Sequence, residues 1–321
     1  MKNHKTKNFL IIGTVFCALG TVLFASGIAA GGREYIKNTD LNTYNGSFSS
    51  EKSDSNHAIL EKEKIDSFQN LNADLKHMDF SIRESDDENY YLSYNVETVK
   101  GIIPVSWQVE NGTLNMSEKN GKTASGYLQI DIGFLQEFLT DGHVSDDTDM
   151  LENQIIVYIP HEQTLENFSC QMNKGDFTLD SLNCQNFHLQ TNTGDISIID
   201  SSLENMKLDA SLGDLSAEES NFTDSILALS SGDAELSNVS FNNNCQITSK
   251  MGDIDLSVPE KYLNALVFSL DTNMGDIDIP DELNGKIISA DDKSTYQKES
   301  SNSQNHLTVK SDYGDISIRH S

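Results

Sequence analysis

Apolar and polar residues alternate in short runs along most of the chain, the period-two pattern of strands with one buried face. The runs begin near Ile65 and include Phe80 and Ile82; Tyr90, Leu92 and Tyr94; Val105, Trp107 and Val109; and Leu114 and Met116, with turns marked by Gly112 and Gly121. From Ile155 onward a longer period is superimposed. Seven Gly-Asp pairs follow: Gly175 and Asp176, Gly194 and Asp195, Gly213 and Asp214, Gly232 and Asp233, Gly252 and Asp253, Gly275 and Asp276, Gly314 and Asp315. Their spacings are 19, 19, 19, 20, 23 and 39 residues. A fixed period near 20 residues is the mark of a solenoid or repeat array. The last gap is close to two periods and predicts one degenerate coil before Gly314.

Aligning the repeats on the glycine shows why they fold. Five residues before it stand Cys170, Leu189, Leu208, Leu227, Ile247, Leu270 and Val309; two after it stand Phe177, Ile196, Leu215, Ala234, Ile254, Ile277 and Ile316. A further inward column, ten residues before the glycine, reads Leu165, Cys184, Leu203 and Phe222. One coil cannot bury such a face alone, but coils stacked at about 4.8 Å align the columns into a continuous core. The expected fold is all-β: a single-stranded β-solenoid of ~19-residue coils, each with a Gly-Asp turn between two short strands. Residues 63–154 are read as N-terminal β-coils with an insert at 133–153, and 155–321 as the Gly-Asp array with a loop at 281–305.

The N-terminus differs in kind. Lys2, Lys5 and Lys7 precede an uncharged, mostly apolar stretch from Phe9 to Gly32. A helix needs about 20 apolar residues to cross a bilayer, and lysines on one side only place that side in the cytoplasm. Residues 1–8 therefore read as a cytoplasmic basic tail, 9–32 as a single-pass transmembrane signal anchor, and 33–62 as a polar stalk. The rival is a cleaved signal peptide, for which Gly27, Ile28 and Ala29 supply small residues; the length of the apolar run favours a retained anchor. The bulk of the protein is then extracellular. The whole chain's net charge of -28 repels nucleic acid and anionic headgroups and suits basic partners or divalent cations.

Candidate chemistry is sparse. The glycine of each turn supplies a positive φ, and the aspartate can accept hydrogen bonds from turn amides. The competing reading is calcium held by stacked aspartates, centred on an acidic patch of Asp253, Asp255, Asp276 and Asp278. Cys170, Cys184 and Cys245 fall in inward columns and read as small buried hydrophobes. His161 and Glu162 begin a zinc-protease motif, but Leu165 stands where its second histidine belongs. The run Asp146, Asp147, Thr148, Asp149 lacks the glycine and terminal glutamate of a calcium loop. Trp107, Tyr90, Tyr91 and Tyr94 read as strand aromatics rather than a ligand platform. No catalytic residue and no cofactor site is assigned.

The Val157 to Pro160 entry and the units Gly194 to Ile198 and Gly314 to Ile318 resemble the bacterial putative-adhesin family of extracellular Gly-Asp β-strand repeats, which includes LiaG-like envelope proteins. The resemblance covers Ile65 to Arg319, and the long insert departs from the family's compact pattern. It implies a surface-exposed right-handed β-solenoid and, by label, adhesion; it brings no catalytic residues. The function expected is an envelope or surface interaction protein, not an enzyme, with an extracellular ligand or envelope protein as partner. The alternatives are an accessory of envelope-stress sensing acting through a membrane partner, and a polysaccharide-degrading enzyme using the acidic patch.

Overall fold

In mid-array each coil turns three corners, which keeps its strands short, whereas Thr164–Lys174 and Asn183–Thr193 run unbroken through the first of them. In the computed structural model, which describes residues 57–99, 101–119, 153–161, 163–280, 283–290, 293–300 and 303–321, one coil runs through Ser202–Glu204, Lys207–Leu212 and Leu215–Glu218. Its corners are Asn205, Gly213 and Glu219, all with positive φ. The Asn205 corner recurs at Asp224 and Asn243, and the Glu219 corner at Ser181, Asp200 and Asn238. The two-strand coil expected from the sequence thus has a third side, carried by the column of Leu165, Cys184, Leu203 and Phe222 and continued by Phe241.

Neighbouring coils pair in parallel with like residues opposed: Leu189 with Leu208, Leu208 with Leu227, Ile196 with Leu215, Leu215 with Ala234. This register stacks apolar side chains on apolar side chains, and the columns become one core in which Leu189, Leu208, Leu227 and Ile247 are fully buried. Phe168 and Phe187 stack with ring centroids 4.5 Å apart. The coils build two sheets of eleven and fifteen strands.

The spatial order of the coils departs from chain order at both ends. Near the start, the coil of Asn70–His77 and Asp79–Ser85 lies between Thr164–Lys174 with Phe177–Asp180 on one side and Thr113–Glu118 with Gln154–Pro160 on the other. Near the end, the final coil, His306–Tyr313 and Ile316–His320, lies between the Gly252 and Gly275 coils. Among the described residues no degenerate coil separates Asp276 from Gly314. Pro259 ends the strand Ile254–Val258, and the helix α1 (Glu260–Ala265) carries the chain past one layer, which accounts for the spacing of 23. The last coil fills the vacant layer, where Leu307, Val309, Ile316 and Ile318 are buried.

Antiparallel strands close the two ends. His57–Ile65, Tyr90–Glu97 and Val105–Glu110 do so at one end; residues 57–62, expected in the stalk, belong to this edge strand, whose Ile65 is buried. At the other end the expected 281–305 loop contains a hairpin, Lys286–Ala290 and Lys293–Lys298, paired to Val267–Met274. The expected basic tail, anchor and most of the stalk lie outside the described residues, as do Glu162, Asp146 to Asp149 and the insert up to 152. No helix of the described residues is long and apolar enough to cross a membrane.

Candidate functional site

The Gly-Asp turns fall on one corner of their coils and form a continuous edge, extended at one end by Asp79, which follows Met78. In spatial order it runs Asp79, Asp176, Asp195, Asp214, Asp233, Asp253, Asp315, Asp276. Each aspartate Oδ1 accepts a hydrogen bond from the backbone N–H of the next aspartate, at 2.8–2.9 Å along the whole row. The acceptor therefore serves the neighbouring coil rather than its own turn. The glycines face each other as closely: a Cβ on Gly213 would lie 2.1 Å from the Gly194 carbonyl oxygen, at φ 134°. Both space and conformation demand glycine there.

The acidic patch expected at Asp253, Asp255, Asp276 and Asp278 does not assemble. The inserted coil puts Asp315 between Asp253 and Asp276, and Ser317 between Asp255 and Asp278. Arg319 Nη2 lies 3.7 Å from the Asp255 carboxylate. Asp255 and Asp278 are thus two layers, about 10 Å, apart. Among the described residues no group of three or more His, Cys, Asp or Glu side chains could hold a metal ion.

Beside the aspartate row runs a second row that the sequence reading did not single out: the residue before each glycine. Three successive members, Met251, Tyr313 and Met274, are 54%, 58% and 54% exposed. The backbone pairing sets Met251 against Tyr313 and Tyr313 against Met274. Leu212, further along the same row, is 53% exposed. The sequence signal was available, since these residues share one repeat position. Their contiguity follows from the inserted coil alone.

Two open grooves flank this edge. One, of about 450 Å³, follows Asp176, Asp195, Asp214 and Asp233 and is floored by Thr178, Ser197 and Ser216. The other, of about 410 Å³, lies on the larger sheet, where small Ala228 sits among Gln190, Asp209, Thr248 and Lys310. Both are open surface troughs of mixed polar and apolar lining.

The remaining candidates sit in the scaffold. Burial pushes the Cys184 thiol up to about 11 and raises those of Cys170 and Cys245, so thiolate chemistry is suppressed. Leu165 is fully buried, and His161 Nδ1 lies 3.0 Å from a Glu84 carboxylate oxygen. Tyr90 and Tyr94 are buried, Tyr90 against Phe68, while the Tyr91 hydroxyl donates to Asp87. Trp107 packs against the core. These aromatics form no common platform.

A layered all-β repeat protein with a Gly-Asp edge is the class these features define. The chain belongs to the Toastrack DUF4097 family, whose model matches residues 68–319. It is similar to two solved structures: one described as a "putative cell adhesion protein" from Clostridium sporogenes, covering 83% of this chain and 100% of that one, and one described as a "putative adhesin" from Bacteroides fragilis, covering 83% and 97%. Each is 12% identical with a TM-score of 0.37. No curated protein matches the chain.

Proposed function

We propose that the protein is a non-catalytic interaction protein of the cell envelope, anchored through residues 9–32 and engaging an extracellular partner along the Gly-Asp edge. The observation that carries this reading is the contiguous Met251, Tyr313 and Met274 row, more than half exposed and bordered by Asp253, Asp315 and Asp276. Isolated exposed apolar residues are ordinary, whereas adjacent ones in a polar rim mark contact surfaces. Tyrosine supplies large contact area at small entropic cost, and methionine adapts to a partner's shape. The acidic border favours a partner that combines apolar side chains with basic groups.

A photoreactive residue replacing Tyr313 in intact cells tests this. Capture of one discrete partner is expected, reduced at least tenfold by the pair Met251→Ser and Met274→Ser in a protein that still melts as the wild type. Capture unaffected by those substitutions, or equal capture from a probe at outward-facing Glu166, would overturn the reading.

A further inference from the structure

The fifteen-stranded sheet ends in Lys286–Ala290, and among the described residues this strand pairs on one side only, with Lys293–Lys298. An unpaired edge presents a row of free backbone donors and acceptors, which proteins usually blunt with charge, proline or a covering segment. Here Lys286 is the sole charge of the strand and there is no proline. Ile287 lies opposite Tyr296, so the two share a face. Tyr296 is 1% exposed and belongs to the core; Ile287 is 53% exposed. The opposite end of the same sheet is finished differently: in Val105–Glu110 the inner residues Trp107 and Val109 pack against the core. Among the described residues, then, the edge strand at one end packs its apolar residues inward, whereas at the other Ile287 and Ile288, on opposite faces of the edge strand, are both about half exposed.

We propose that this edge receives a second copy of the same chain, the two Lys286–Ala290 strands pairing antiparallel about a two-fold axis through Ile288. The strand is self-complementary in that register. Ile288 faces its own copy, Ile287 faces Ser289, and Lys286 faces Ala290, so no like charges oppose. In sequence the strand begins with basic Lys286 and is followed by acidic Asp291 and Asp292, a charge order that complements itself in an antiparallel pairing. An isologous contact of this kind closes on itself and yields a dimer rather than a fibre. A single strand pair falls short of the ~1,000 Å² of a stable complex, so the association is weak in dilute solution and is raised by confining copies to one surface.

Homotypic cysteine cross-linking of the full chain tests the register. Facing residues of antiparallel strands have Cα atoms about 4.5–5.5 Å apart, within disulfide reach. In a Cys17→Ser background, Ile288→Cys expressed in cells is expected to give a disulfide dimer on mild oxidation. Lys286→Cys and Ala290→Cys alone are expected to give at most a tenth as much, and the two together a mixed dimer. These sites are on the free edge, so each variant's unchanged melting temperature separates misfolding from lack of contact. Absence of dimer from folded Ile288→Cys, or equal cross-linking by all three single variants, would overturn the proposal.

Discussion

Asp214 is both donor and acceptor in the aspartate row: its N–H donates to Asp195, and its Oδ1 accepts from the Asp233 N–H. An asparagine keeps the acceptor and removes one negative charge from a stack of them, whereas an alanine leaves the Asp233 N–H without its partner. Asp214→Asn is expected to change stability by less than about 0.5 kcal/mol, and Asp214→Ala to cost about 1 kcal/mol. Denaturant melts of both variants check this; equal losses would show that the charge, not the acceptor, is what the position needs. The inward columns and the Gly-Asp turns were legible in the sequence because residue type repeats at those positions. The polar corners were not. Ser181, Asp200, Glu219 and Asn238 share a positive φ and a spacing of 19 residues but little chemistry, so nothing in residue type marks them.

Among elements, the end closed by α1 and the hairpin Lys286–Lys298 depends on one buried cation. The Lys298 Nζ donates to the carbonyls of Asn264 and Leu266 at 2.8 and 2.7 Å, and to that of Leu263 at 3.4 Å. It thereby satisfies acceptors that the helix C-terminus leaves open. Burial pulls its pKa below the ordinary lysine value. Lys298→Met keeps the apolar stem and removes the donors, and is expected to cost about 2 kcal/mol, the order of a charge-assisted hydrogen-bond set. Amide exchange should quicken first in residues 260–298; uniform or unchanged protection would contradict this role. Sequence reading took this region for a loop because Ser, Lys and Asn obscure its alternation, although Tyr296 and Ser294 are buried. It took residues 57–62 for stalk because a run of Glu and Lys hides a strand with little buried surface.

For the whole folded array, the order of layers decides what the surface can do. Leu307, Val309, Ile316 and Ile318 have the same inward pattern as every other coil, so the sequence alone fits the last coil equally well at the end of the stack or within it. Tertiary pairing settles the choice: Thr248 pairs with Lys310, and Lys310 with Asp271. The inserted coil joins Met251, Tyr313 and Met274 into one surface and separates the aspartates that chain order would have brought together. The Gly-Asp edge was readable as a series of turns; its use as an interaction surface was not, because it depends on which coils touch.

Engineered disulfides read that order directly. Thr248 and Lys310 face outward on adjacent layers, about 4.8 Å apart at Cα, whereas Thr248 and Asp271 are two layers and about 10 Å apart, beyond disulfide reach. In a Cys17→Ser background the remaining native thiols, Cys170, Cys184 and Cys245, are buried and do not compete. With Thr248→Cys and Lys310→Cys together, oxidation is expected to form an intramolecular disulfide detectable by mass spectrometry. The pair Thr248→Cys and Asp271→Cys should remain reduced under the same conditions. A disulfide in the second pair and none in the first would place the coils in chain order and remove the Met251, Tyr313 and Met274 surface with them.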